Sequence, residues 1–169
     1  TDVGQTPSNY PGITHAYDIT ADGGATANDF DNFREDQDAT FEIWIRPDDL
    51  SAGGDQMIFE TGSKNQDGLA IYLDDSGTIT FYAQDFSKDS VVVTYDLATD
   101  SLNTGSDKTD EFIQIVAAIT LEGGPNDEMT LYVNGVQVGQ VTGFDIKDWT
   151  SNGNAGLGQV NGSSVAQNN

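Results

Sequence analysis

Cysteine is absent from this 169-residue sequence. Disulfides, thiolate zinc sites and cysteine nucleophiles are removed together; the compartment is not fixed by that alone. Cations are scarce, with 6 Lys+Arg against 28 Asp+Glu and a net charge of −22. Phosphate recognition needs clustered Lys and Arg, so nucleic acid is excluded as an expected partner. Docking on an anionic membrane surface is excluded for the same reason. No apolar run approaches the ~20 residues that span a bilayer, so no membrane insertion is expected. No signal-peptide pattern opens the chain, which is expected to be one module of a longer protein. The single histidine, His15, has no obvious Ser or Asp partner and reads as a partly exposed strand residue near Tyr17. No extended window repeats its apolar residues at the helical period.

The sequence is instead rich in glycine, 19 residues, with 36% hydrophobic residues. That balance suits one domain, residues 1–169, built from short strands and tight turns. Thr40-Phe41-Glu42-Ile43-Trp44-Ile45-Arg46-Pro47 alternates, with Phe41, Ile43 and Ile45 on one face and Glu42, Trp44 and Arg46 on the other. Pro47 ends that ladder. Further strands are expected at 56–60, 69–73, 78–82, 91–95, 129–133, 136–139 and 156–160. Asp74-Asp75-Ser76-Gly77 reads as the turn of a hairpin, and so does Asn134-Gly135, whose residues accept the positive φ of a type I′ turn. Phe112 to Ile119 is nearly continuous apolar, as in a strand buried on both faces or a buried helix; its β-branched residues favour strand. Residues 20–38 and 98–111 read as surface loops. Short strands at this spacing predict an all-β, two-sheet antiparallel β-sandwich.

The order of these motifs resembles laminin-G-like domains of bacterial exoproteins, of the concanavalin A-like lectin-glucanase kind. The resemblance is carried by Ala39 to Pro47, Phe59-Glu60-Thr61-Gly62, Asp67 to Leu73, Phe112 to Ile119, Leu131 to Gly139 and Ala155 to Gly162. It implies a jelly roll. It departs from the family after Gly162, where a further strand is usual; a short or missing last strand would leave a sheet edge exposed.

The resemblance also implies a Ca²⁺ site at one end of the sandwich, with Asp67, Asp85, Asn152 and Asn154 as the positions that match. Oxygen donors from three loops would suit the 6–8 ligands calcium takes. The plainer alternative is that Asp67 and the two asparagines form turns. Asp74-Asp75 reads as hairpin chemistry. The acidity as a whole reads mainly as a solvated surface, with a few carboxylates left as ligands. Trp44, Tyr72, Tyr82 and Tyr132 lie on the faces of their strands opposite the expected core residues Phe41, Ile71, Phe81 and Leu131. Rings beside Glu42 and Gln114 would suit sugar stacking; the alternative is that they cover a sheet or pack under the long loops. A retaining hydrolase needs two carboxylates ~5 Å apart, and no strand carries a Glu-x-Asp-x-x-Glu pattern.

The expected function is therefore a non-catalytic, calcium-stabilised, monomeric binding module acting outside the cell or at its surface. Its ligand would be a glycan or an extracellular protein. A structural spacer is the alternative, and a glycoside hydrolase or lyase a third reading.

Overall fold

In the computed structural model, the residues described are 19, 24–27, 37–50, 53–62, 67–87, 89–99, 112–147, 149 and 155–159. Among them are ten strands and no helix: β1 Ala25–Ala27, β2 Ala39–Ile45, β3 Gln56–Gly62, β4 Gly68–Leu73, β5 Thr78–Gln84, β6 Ser90–Asp96, β7 Ile113–Thr120, β8 Asp127–Val133, β9 Val136–Phe144 and β10 Ala155–Leu157. One sheet has the order β1-β10-β3-β4-β5-β6 and the other β2-β7-β8-β9. Every pairing is antiparallel. This is the two-sheet sandwich expected from the strand pattern.

The core between the sheets follows from period-two alternation. Leu69, Ile71, Leu73, Ile79 and Phe81 come from the larger sheet, and Ile113, Ile115, Ile119, Met129 and Leu131 from the smaller. Truncating one of the larger of these, such as Phe81, to Ala would cost about 3–5 kcal/mol. Trp149 closes the core. It is almost fully buried, meets Phe41 edge-on at 5.7 Å, and donates its indole N–H to the Gln37 carbonyl at 3.2 Å. Asp127 holds the approach to Trp149. Its buried carboxylate accepts the backbone N–H groups of Gly123 at 3.1 Å and Ile146 at 2.9 Å.

Three expectations are corrected. Residues 25–27 of the supposed loop form β1, which pairs with β10, so the edge of β10 is covered. The Phe112–Ile119 run is a strand, but it is not buried on both faces. Ile113, Ile115, Ala117 and Ile119 are buried while Gln114, Val116 and Ala118 are only half-buried, because the outer face of this sheet is open. Finally, β9 runs on to Phe144 rather than stopping at Gly139.

The Asn134-Gly135 turn is as expected. Asn134 has φ 50° and Gly135 φ 77°, the left-handed pair a type I′ turn demands. The two sheets meet closely where β9 passes β6: a Cβ on Gly139 would lie 2.5 Å from Val93 Cγ1.

Candidate functional site

Strand alternation sets two outer faces, and the four aromatic residues singled out in the sequence divide between them. Trp44 on β2 and Tyr132 on β8 stand on the smaller sheet; Tyr72 on β4 and Tyr82 on β5 stand on the larger. The structure does not bring the four together. Tyr72 and Tyr82 are buried, with 8% and 5% of their surface exposed, and cluster with Ala70 and Met57. The Tyr82 hydroxyl donates to Gln84 Oε1 at 2.8 Å. These rings cover their sheet and present no stacking surface, which is the alternative the sequence left open for them.

The smaller sheet is different. Trp44, Gln114, Val116 and Tyr132 are half-buried and Glu42 is exposed. Register places Trp44 opposite Gln114, and Glu42, Val116 and Tyr132 in one row across three strands. The polar groups interlock. Glu42 Oε1 accepts the Gln114 side-chain amide at 2.6 Å and the Trp44 indole N–H at 3.2 Å. The indole is thereby fixed beside a carboxylate, with a second aromatic ring two strands away. Strand spacing and rise put the Trp44 and Tyr132 backbones about 12 Å apart, a span for an oligosaccharide rather than one ring. Arg46, further along the same face, places its guanidinium 6.0 Å from the Phe112 ring centroid.

A second constellation lies at the end of β4 and β5. Gly68 pairs with Gln84 at the end of the ladder, so Asp67 and Asp85 each lie one residue beyond it, at the same end of the hairpin. Both are buried, 6% and 1% exposed. Asp85 Oδ1 accepts the Asp89 N–H at 3.1 Å and braces its own hairpin. Asp67 Oδ1 and the hydroxyl of buried Thr61 have no hydrogen-bond partner among the described residues. A buried, unsatisfied carboxylate oxygen costs about 1–3 kcal/mol or more, and a hard cation with oxygen preference would satisfy it. The donor chemistry fits calcium: Asp67, Asp85 and Thr61 can offer oxygens. No group of three or more His, Cys, Asp or Glu suited to a metal occurs among the described residues, so such an ion would draw much of its shell from carbonyls, hydroxyls and water. Asn152 and Asn154 lie outside the described residues.

At the opposite end of the same strands, Asp74 is turn chemistry, as its sequence suggested. Its Oδ1 accepts Ser76 N–H, Ser76 hydroxyl and Thr78 N–H at 2.9, 2.7 and 2.9 Å. Burial works against the ionised form, but these bonds hold its carboxyl below the ordinary value. Asp55 is pushed up, first by burial and then by the charges of Asp74 and Asp75.

The sequence profile of the concanavalin A-like lectin/glucanases superfamily matches residues 20–168. The chain belongs to that superfamily. The superfamily's description includes glucanases, so the placement of the carboxylates among the described residues bears on the reading. On the open face, Glu42 and Glu128 stand two strands and several residues apart, far beyond the ~5–9.5 Å that either hydrolytic geometry needs. Asp67 and Asp85, at one end of the hairpin, are closed off from solvent. Several features were invisible in the sequence: the paired acceptance by Asp127, the complete burial of Glu60 and the orphaned Thr61 hydroxyl. No local pattern marks any of them.

Solved structures share this lectin-superfamily fold at low identity. The receptor binding domain of botulinum neurotoxin C/D mosaic serotype matches with TM-score 0.57 and 17% identity, over 73% of this chain and 28% of that one. The Ruminococcus gnavus IT-sialidase CBM40 matches with TM-score 0.53 and 13% identity, over 73% and 64%. The binding domain of botulinum neurotoxin DC, in complex with SialylT, matches with TM-score 0.54 and 14% identity, over 72% and 28%. This chain thus spans under a third of the neurotoxin domains and less than two thirds of the CBM40 chain. No curated protein matches it in sequence.

Proposed function

We propose that this chain is a non-catalytic glycan-binding module that works outside the cell as a monomer and is stabilised by calcium. The observation that carries the reading is the open face on which Trp44, Glu42, Gln114 and Tyr132 are arranged, with the indole N–H and the Gln114 amide both tied to Glu42 Oε1. Flat aromatic faces stack on sugar C–H surfaces, and fixed polar groups beside them meet hydroxyls. A sialidase carbohydrate-binding module and toxin receptor-binding domains among the structural neighbours support the class of activity. The separation of Glu42 from Glu128, and the burial of Asp67 and Asp85, support binding over hydrolysis. Calcium is proposed for the Asp67–Asp85 end, where the unpartnered Asp67 oxygen asks for a cation.

The test is a polysaccharide and oligosaccharide binding screen on the intact chain, with Trp44→Ala and Tyr132→Ala alongside. Binding is expected to weaken by at least about tenfold in Trp44→Ala through loss of stacking area. If no glycan binds, the reading fails and a structural spacer takes its place.

A further inference from the structure

Resting on the glycan-binding reading, we infer that the Trp44 face selects uncharged oligosaccharides and rejects sialylated or other anionic ones, with Glu42 as the group that discriminates.

The argument starts from where charge sits. Glu42 is exposed on the open face, and its Oε1 is 3.2 Å from the Trp44 indole nitrogen and 2.6 Å from the Gln114 amide nitrogen. A sugar stacked on Trp44 therefore lies beside a carboxylate. Sugar hydroxyls donate well to a carboxylate, and a charge-assisted bond is about twice as strong as a neutral one. A carboxylate-bearing sugar in the same place would instead bring two like charges together in a partly desolvated setting, where they repel strongly.

Compensation among the described residues is limited. Among the described residues the cationic side chains are Arg46 and Lys147. Arg46 shares the face, with its guanidinium 6.0 Å from the Phe112 ring centroid, while Glu42 is bonded to the indole itself. The whole chain adds a net charge of −22, whose field slows the approach of any anion and favours neutral ligands by comparison.

The structure also supplies a clean reporter. The sequence has 2 Trp, and Trp149 is 1% exposed in the core. Ligand-induced changes in tryptophan emission therefore report on Trp44.

The experiment titrates the intact protein with matched pairs, lactose against sialyllactose and galacto-oligosaccharides against galacturonate oligomers. Cellohexaose and xylohexaose extend the uncharged set. Emission and calorimetry are followed together. At least one uncharged sugar is expected to bind, with its affinity changing less than about twofold between ~50 and ~500 mM salt. Its anionic counterpart is expected to bind at least tenfold more weakly. Glu42→Gln keeps an acceptor for Gln114 and Trp44 but gives up the charge-assisted bond to sugar hydroxyls, so it is expected to weaken the uncharged ligand several-fold, to weaken the anionic one less, and to narrow the discrimination at least threefold. An anionic glycan bound as tightly as its uncharged partner, or discrimination unchanged in Glu42→Gln, would overturn the inference and leave glycan binding standing. Binding that survives Trp44→Ala and Tyr132→Ala would overturn the placement on this face. No binding to either class would overturn both the inference and the reading beneath it.

Discussion

Asn134 grips Gln114 at both ends of its own residue: its backbone N–H donates to the Gln114 carbonyl at 2.9 Å, and its Oδ1 accepts the Gln114 N–H at 3.0 Å. The hairpin turn is thus tied to the residue whose amide holds Glu42. Asn134→Ala removes the side-chain acceptor and forces Ala to φ 50°, so a loss of about 2 kcal/mol is expected. Asn134→Gly relieves the backbone and loses only the hydrogen bond, about 1 kcal/mol. Urea denaturation should rank the two in that order; equal losses would assign no role to the left-handed φ.

Asp67 carries the metal proposal. Melting with calcium should exceed melting with a chelator, because a ligand bound only to the folded state stabilises it by mass action, about 2.7 kcal/mol at a hundredfold excess over Kd. Asp67→Asn should abolish the difference. Since it also removes a buried charge, its chelated form should melt no lower than the chelated parent. Identical melting of the parent with and without calcium would sink the site.

Asp127 is a structural acid. Asp127→Ala strands the buried Ile146 N–H and leaves the exposed Gly123 N–H to water, and a loss of about 2 kcal/mol is expected. Asp127→Asn keeps an acceptor and should cost clearly less. Because Ile146 leads directly to Trp149, the Ala variant should also show red-shifted tryptophan emission. An unshifted spectrum would separate Asp127 from the seating of Trp149.

Acid titration separates two carboxylates that lie together at the turn end of the β4–β5 hairpin. Asp55 has its folded pKa raised by burial and by Asp74 and Asp75, so its ionisation opposes folding at neutral pH and the penalty fades as pH falls through the carboxylate range. Asp74 has its folded pKa lowered by bonds from Ser76 and Thr78 that outweigh burial; its stabilisation is present above the unfolded value of about 3.9 and is lost on further acidification. Asp55→Asn should raise Tm at neutral pH by about 1–2 °C, since exposed charges are well screened. Asp74→Ala should lower it, and both differences should close in acid. A gap that persists at low pH would point to packing instead of charge.

The strands were legible because their signals are local. Alternation in Phe41–Ile45 and Leu69–Leu73 names the inward residues, and Asn134-Gly135 names its turn. Sheet membership is not local: β2 pairs with β7 and β3 with β10, partners far away in sequence. Periodicity therefore put Trp44, Tyr72, Tyr82 and Tyr132 on outward faces but could not tell that they point away on two different sheets. The three-residue β1 was missed because Ala-Thr-Ala has no apolar alternation of its own and becomes a strand only when β10 lies beside it. Asp67 was found through family likeness; its unsatisfied oxygen appears only once β3, β4 and β5 are laid together.

The pairing of Ala25 with Leu157 has a mechanical meaning. These two residues are the outward ends of β1 and β10, so those ends stand side by side. Tension drawn through both ends would peel β1 from β10 one bond at a time rather than shear the ladder all at once, making this seam the first to yield under load.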